Sequence, residues 1–285
     1  MGALQVSVII VTHNSESHLG ESLEHLHRAI QGISCELIII DNASVRSPAA
    51  NVHDTFPEAE VMGCDRNCGF AAAANIGARK AGGKHLLFLN PDVLIDPGAV
   101  SNMDRFLNGQ PRVGALGGRL RWPDGSFQPT CRKLPTIYNL LFSRGSVLSR
   151  LVPRNEVYTL GDYDSPIQVP ATAATMLMIR RDLFHRMEGF DERFFMYMED
   201  TDLCARLGRR NYVNIFLPSA GGVHHWAHGS TAGRVRRLWY HHNSLWRYFR
   251  KHLPNLFSFL ILPVFLSLNF GLAVVFGARR RGGGR

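Results

Sequence analysis

Three apolar runs, at residues 6–11, 36–40 and 85–89, each stop abruptly at a short polar loop. Dense in Val, Ile and Leu and without alternation, they read as strands buried on both faces of a parallel sheet. Between them, Leu19, Leu23, Leu26 and Ile30 share one helical stripe, and residues 69–81 form an alanine-rich stretch of high helix propensity. Strands alternating with helices predict an α/β sheet, and ligands of such sheets gather outside the carboxyl ends of the strands. The loops at those ends are Thr12-His13-Asn14-Ser15, Asp41-Asn42-Ala43-Ser44 and Asn90-Pro91-Asp92. One Asx-rich loop is an ordinary cap or turn. Three on the same sheet edge describe a site.

What the loops lack narrows their chemistry. No Gly-x-Gly-x-x-Gly follows the first run and no Gly-x-x-x-x-Gly-Lys-Ser/Thr occurs, so the familiar backbone cradles for phosphate are missing. A bound anion must be held otherwise, and a divalent cation on a strand-end carboxylate is the usual substitute. Charge narrows the partners. The net charge is +9, and after Asp202 there is no Asp or Glu while thirteen Arg or Lys follow, which calls for a membrane or a polyanion. No helix-turn-helix, RNP or zinc-finger pattern presents these charges to a nucleic acid, so none is expected as a partner. The first 30 residues show no basic start followed by a small-residue cleavage site, and five scattered cysteines form no disulfide framework, so a cytosolic setting is expected. Cys64 and Cys68 lack the second pair that a zinc site needs. At 285 residues and 45% hydrophobic, the chain suits one compound domain.

Longer motifs carry a resemblance. Residues 6–15 (Val-Ser-Val-Ile-Ile-Val-Thr-His-Asn-Ser), Asp41-Asn42-Ala43-Ser44, Asn67-Cys68-Gly69-Phe70 with Asn75-Ile76-Gly77, and Leu87-Phe88-Leu89-Asn90-Pro91-Asp92 occur in that order. Gly189-Phe190-Asp191-Glu192-Arg193-Phe194-Phe195, Glu199-Asp200-Thr201-Asp202-Leu203, and His224-His225 with Gly229-Ser230 follow. Together, over about residues 6–253, they resemble glycosyltransferase family 2, and especially its rhamnosyltransferase-like branch. The resemblance implies the A-type glycosyltransferase fold, a mostly parallel Rossmann-like sheet flanked by helices, with a C-terminal helical membrane-associated tail. It implies a nucleotide-sugar-binding half at 1–118, an acceptor-binding and catalytic half at 119–230, and a basic, apolar membrane-associating segment at 231–285. A shift in composition near Gly117 and Gly118 marks the first boundary. Three positions depart from the family pattern: Arg46 stands where a second acid is expected, Ala174 where a glycine precedes the run 176–179, and Asn211 where a glycine precedes Tyr212. Ala is small and Asn accepts a positive φ.

Carried over residue by residue, the resemblance makes Asp92 and His224 ligands of Mg²⁺ or Mn²⁺, with diphosphate oxygens completing the shell. Asp41 contacts the nucleotide base and weakly favours UDP or dTDP, and Thr12, Asn14, Asn67, Asn75 and Asn90 line the donor pocket. Gly69 and the helix start after it face the donor, as helix N-termini suit anions. An Asx turn is the plain alternative for Asp41, and loop bracing for Asn67 and Asn75. Asp200 matches the base that deprotonates the acceptor hydroxyl, with Glu199 and Asp202 beside it to raise its pKa. A helix beginning near Glu199 accounts for part of this acidic run through its dipole. One base without a carboxylate nucleophile implies one-step displacement with inversion. Arg234, Arg236 and Arg237 either steady the diphosphate or form a basic surface. Residues 122–128, turned by Asp124-Gly125, read as a hairpin shaping the acceptor side.

Residues 256–276 carry no charge and are long enough to cross a bilayer, although Pro263, Asn269 and Gly271 interrupt them. Spanning helix, in-plane anchor and buried soluble helix stay open. Trp239, Tyr240, Trp246, Tyr248 and Phe249 interleaved with arginine suit a headgroup interface. The expectation is an inverting hexosyltransferase at the cytoplasmic face of the plasma membrane. It would use a dTDP- or UDP-linked sugar, rhamnose first, and a lipid-linked or polysaccharide acceptor in cell-envelope glycan synthesis. The rivals are a catalytically inactive nucleotide- or lipid-binding relative and a nucleotidyltransferase, whose Gly-rich basic loop is not found after residue 11.

Overall fold

The computed structural model describes residues 4–142, 160–225 and 233–279. The motif residues Gly229 and Ser230, together with His228, Arg280 and Arg281, lie outside these. The first half is built from β1 (Val6–Thr12), α1 (Glu16–Ala29), β2 (Cys35–Asp41), α2 (Ala49–Thr55), β3 (Glu60–Gly63), α3 (Phe70–Lys80) and β4 (His85–Leu89). These four strands pair in parallel in the order β3-β2-β1-β4. Thr12 stands opposite Asp41 and Ile10 opposite Leu89, so the polar loops emerge together, as the uniform apolar runs predict.

The second half contributes β5 (Val93–Ile95), α4 (Ala99–Gly109), β6 (Val113–Arg121), β7 (Phe127–Gln128), β8 (Cys131–Arg132) and α5 (Ile137–Phe142). After these come β9 (Ile167–Val169), β10 (Ala171–Thr172), β11 (Met176–Arg180), α6 (Arg181–Arg186), α7 (Glu199–Arg209) and β12 (Val213–His224). Beyond β4 the sheet continues β11-β6-β12-β5, with β7 on β6 and β9 on β12. The parallel order of the donor half gives way here, because β11 enters antiparallel to both β4 and β6. Its Met176 to Ile179 are all buried, and only a central position covers both faces of such a run. Gly117 and Gly118 fall within β6, so one sheet runs through both halves. The Asp124-Gly125 turn does close a β6–β7 hairpin, with Gly125 at φ +83° and the Trp122 amide donating to the Ser126 carbonyl at 2.8 Å. Asn211 takes φ +62°.

Successive residues of β1 face opposite ways, which divides the core between the two sides of the sheet. Val8 and Ile10 pack with Leu19, Leu23, Val100 and Met103 of α1 and α4. Ile9 packs with Ala73, Ala74, Phe184 and Leu203 of α3, α6 and α7. On α3, a Cβ added to Gly77 would come within 2.7 Å of the Ile9 side chain, so that close helix–sheet approach requires glycine.

The chain ends in α8 (Arg234–His252), a π-helical turn at Phe257–Ile261 and α9 (Leu262–Arg279). α9 folds back along α8. Trp246 Nε1 donates to the Ser258 carbonyl, Asn269 meets His242, and Arg234 donates to the Ala273 carbonyl. Leu245, Tyr248 and Phe249 of α8 pack with Phe194, Met198, Leu262 and Leu266. A buried ion cluster fastens α8 to α7: Asp202, 0% exposed, meets Lys251 Nζ at 2.6 Å, His252 Nε2 at 2.7 Å and Arg206 Nε at 2.8 Å. Burial works to raise the Asp202 carboxyl, and His252, Arg206 and Lys251 together overcome it and hold the group below the ordinary range. The helix dipole is thus joined at Asp202 by Lys251, Arg206 and the His252 ring. Asp202→Ala removes the carboxylate these three share and should lower unfolding free energy by about 3 kcal/mol in urea titration, against less than about 1 kcal/mol for the exposed Asp182–Arg186 pair.

Candidate functional site

A cleft of about 570 Å³ opens where the polar loops emerge. It is lined by seven of the ten residues named from sequence: Thr12, Asn67, Gly69, Asn90, Asp92, Asp200 and His224. Asn14, Asp41 and Asn75 are not in its wall. Asn14, at φ +53°, takes the Val45 amide on Oδ1 at 2.7 Å and braces the loop after β2. Asp41 Oδ1 accepts the Ser44 amide at 2.9 Å, the Asx turn weighed above. Asn75 donates to the Phe190 carbonyl and accepts the Phe190 amide, at 2.8 and 2.9 Å, clamping α3 to a segment 115 residues away. That pairing uses the amide for bracing.

The start of α3 also differs from expectation. The amides of Cys68, Gly69 and Phe70 are taken by Asn42 Oδ1, Asn67 Oδ1 and the Phe195 carbonyl, at 2.9, 3.0 and 2.8 Å. These are the donors an anion would use; here two of them tie the loops of the first half together, and that of Phe70 joins the two halves. Gly69 at φ +85° lies so close that an added Cβ would stand 2.3 Å from the Phe195 carbonyl oxygen. Cys68 donates its thiol to Asn42 Oδ1 at 3.2 Å.

Asp92 and His224, 132 residues apart, are brought together by strand pairing. The residue after Asp92, Val93, is opposite His224 in the antiparallel β5–β12 ladder, and the His225 amide donates to the Asp92 carbonyl at 3.0 Å. Their side chains are buried, with His224 Nε2 3.2 Å from Asp92 Oδ1. Gln128 presents its Oε1 to His224 Nδ1 at 2.7 Å, so Nδ1 donates there and Nε2 faces the Asp92 carboxylate. A ring nitrogen and a carboxylate oxygen facing each other in a buried site suit a cation between them, and a hydrogen-bonded rear nitrogen is the usual support of a metal-ligating histidine. The residues fit Mg²⁺ or Mn²⁺.

Across the cleft stands the acidic pair at the start of α7. Tyr197 and Met198 precede it with φ of +70° and +72°, left-handed values that cost roughly 1–3 kcal/mol each. Met198 is held there by the cluster around Phe194, Phe249 and Leu262. Asp200 is surrounded by donors. Arg132 Nη2 and the Ala174 amide reach Oδ2 at 2.6 and 3.1 Å, and the Thr201 amide and hydroxyl reach Oδ1 at 2.5 and 3.0 Å. Glu199 is supplied differently. Its Oε2 is buried with no hydrogen-bond partner, and burial, with the Asp200 charge adding, pushes its carboxyl up to about 8.

Sequence reasoning gave no individual role to Gln128, Arg132 or Asn42, and used Glu199 only as a charged neighbour of Asp200. The 122–128 hairpin was readable, but Gln128 and Arg132 meet partners 96 and 68 residues away, and no local pattern encodes that.

The mixed sheet flanked by helices is the A-type glycosyltransferase fold. Solved structures share that fold. A mannosyltransferase from Pyrobaculum calidifontis in complex with GDP-Man and Mn²⁺ superposes with a TM-score of 0.58 at 19% identity, over 100% of this chain and 77% of that one. GalNAc-T7 with UDP, GalNAc and Mn²⁺ gives 0.62 at 16% identity, over 87% of this chain and 48% of that one. The model of glycosyl transferase family 2 matches residues 7–187, and the chain belongs to that family. It is 30% identical over 252 residues to the N-acetylglucosaminyl-diphospho-decaprenol L-rhamnosyltransferase of Mycobacterium tuberculosis, covering 83% of this chain and 81% of that protein. It is 24% identical over 250 residues to rhamnosyltransferase WbbL of Escherichia coli strain K12, covering 85% and 92%. It falls in the rhamnosyltransferase-like branch.

Glu199 gives the site a pH signature. The folded protein keeps a proton that an ordinary Glu releases near 4.5, so the stability this group contributes is full below that value and is lost as pH rises toward about 8. Glu199→Gln cannot ionise. Its unfolding midpoint should therefore gain on wild type across that window, as scanning calorimetry at stepped pH would show.

Proposed function

We propose that this glycosyltransferase moves a sugar, rhamnose first, from dTDP or UDP to a hydroxyl of a lipid-linked or polysaccharide acceptor, with inversion, in cell-envelope glycan synthesis. The observation that carries the reading is the convergence of Asp92, His224 and Asp200 on one cleft, which suits both activation of a leaving diphosphate and deprotonation of an acceptor. Rhamnose and the lipid-linked acceptor rest on the two rhamnosyltransferases to which the chain is similar. Asp92 and His224 would hold Mg²⁺ or Mn²⁺, which when bound supplies positive charge against the developing diphosphate charge. Arg236 and Arg237 of α8 line the same cleft and add to that field. Thr12 and Asn90 border the donor side, and the fixed Asp41 loop backs the base end.

Asp200 takes the acceptor proton. Its four hydrogen bonds hold the carboxylate in place, and the Thr201 hydroxyl is the donor that rotates aside at least cost, opening one lone pair. No second carboxylate is needed as a nucleophile, which favours single displacement. Asp200→Asn keeps the size but cannot accept a proton. It should lower kcat by about 10²- to 10⁴-fold while donor affinity changes little, whereas Asp92→Ala or chelation by EDTA should weaken donor binding as well. Calorimetric donor titration and nucleoside diphosphate release, read for a panel of nucleotide sugars, check both. Transfer by Asp200→Asn within a few-fold of wild type sinks the assignment.

The cytoplasmic face of the plasma membrane is the proposed location, with α9 lying in the membrane plane. Most of the candidate span Phe257–Val275 is exposed, only 17% being buried, which does not suit a soluble core helix. Leu260, Val264, Leu268 and Leu272 form one exposed stripe, while the other face is bonded along α8. A helix so tied to the wall of the cleft would have to leave it in order to span. Arg250 stacks over Trp246 and Phe259, as befits a headgroup interface. Cysteine placed at Arg279 should stay unlabelled by an impermeant maleimide in right-side-out vesicles and react in inside-out ones. Labelling from outside would require a span.

A further inference from the structure

Glu199 is the one acid of the cleft that the proposed chemistry leaves unused. It is 6% exposed, it lines the cleft beside Asp200, and its Oε2 has no partner among the described residues. Burying an unsatisfied oxygen is costly, and strained backbone at Tyr197 and Met198 holds this one in place. The two neighbouring carboxyls are also treated oppositely. Asp200 receives four donors, including Arg132, and so is built to stay an anion. A second anion next to it would be desolvated and repelled, so the proton of the pair belongs on Glu199. A neutral carboxyl then carries one O–H with nothing among the described residues to receive it.

We propose that Glu199 is a neutral hydrogen-bond donor whose carboxyl O–H is given to a saccharide hydroxyl in the cleft, making it a specificity residue for a sugar and not a second base. The inference rests on the reading of the cleft as a glycosyl-transfer site. Metal ligands and arginines suit the phosphates, whereas a neutral acid suits an uncharged polar oxygen. The saccharide belongs either to the donor or to the acceptor, and the shared chemistry is the hydroxyl. Charged or titratable groups around Glu199 are Asp200 and Asp202 on α7, Arg132 on β8 and Tyr197 on the preceding loop, with Arg236 and Arg237 of α8 across the cleft.

The test uses the full chain in membranes with dTDP-rhamnose, dTDP alone and a soluble N-acetylglucosaminyl diphosphate lipid analogue. Glu199→Ala should lose about tenfold in kcat/KM, the worth of one good hydrogen bond, and Glu199→Gln, which still donates, should recover most of that loss at neutral pH. Wild-type transfer should fall as pH rises through about 8, and this limb should be missing in Glu199→Gln. A rise in KM for dTDP-rhamnose alone assigns the contact to the donor sugar, and a rise for the analogue alone assigns it to the acceptor. Weakened binding of dTDP itself overturns the inference, since the contact would then not be to a sugar. So does a Gln variant as impaired as the Ala variant, an unchanged alkaline limb, or an Ala variant equal to wild type. Wild-type minus Glu199→Gln difference infrared spectra of the free protein read the protonated carboxyl without any substrate. Absence of that band at neutral pH defeats the inference, whereas a wild type inactive with every nucleotide sugar defeats the transfer reading instead.

Discussion

The short antiparallel ladder between β5 and β12 is the contact on which the site depends. Three residues of β5 hold the end of a twelve-residue strand, and in doing so they set His224 beside Asp92. Without that ladder the imidazole would have no carboxylate to face and Gln128 no ring to orient. The pairing is secured because Val93 and Ile95 bury their side chains in the core beneath α1 and α4, and Ser22 of α1 donates to the Val93 carbonyl at 2.8 Å. Hydrophobic burial and strand register therefore fix a polar geometry that polar contacts alone would not hold.

A second set of ties runs from the cleft to the C-terminal helices. Asp191 and Asp202 flank the Glu-Asp pair, and Lys251 bridges both, at 2.7 and 2.6 Å. The same α8 contributes Arg236, Arg237 and Tyr240 to the cleft wall and carries α9 along its length. The placing of the apolar helix α9 and that of the acidic pair are thus linked through one helix.

The cleft also divides its electrostatic work. The buried Asp92–His224 pair stands on one side. Opposite it a fully hydrogen-bonded carboxylate neighbours a carboxyl that burial keeps protonated. Two acids one residue apart acquire different protonation because Arg132, Ala174 and Thr201 point at one of them only.

By itself the sequence determined the strands, the helices between them and the edge on which the site lies, since uniform apolar runs ending in polar loops admit few other arrangements. Most of the site residues it named line the cleft, because each sits at or near the end of an element whose type is locally encoded. Tertiary structure decided what those residues do to one another. Asn75 and the Phe70 amide proved to be braces because their partners, Phe190 and Phe195, arrive from more than a hundred residues away. Gln128, Arg132 and the proton on Glu199 were illegible for the same reason: hydrogen-bond partners and burial are set by long-range register, which leaves no periodicity in the chain. The place of α9 followed likewise, because an uncharged stretch records only that it avoids water, and contacts with α8 determine which of its faces does so.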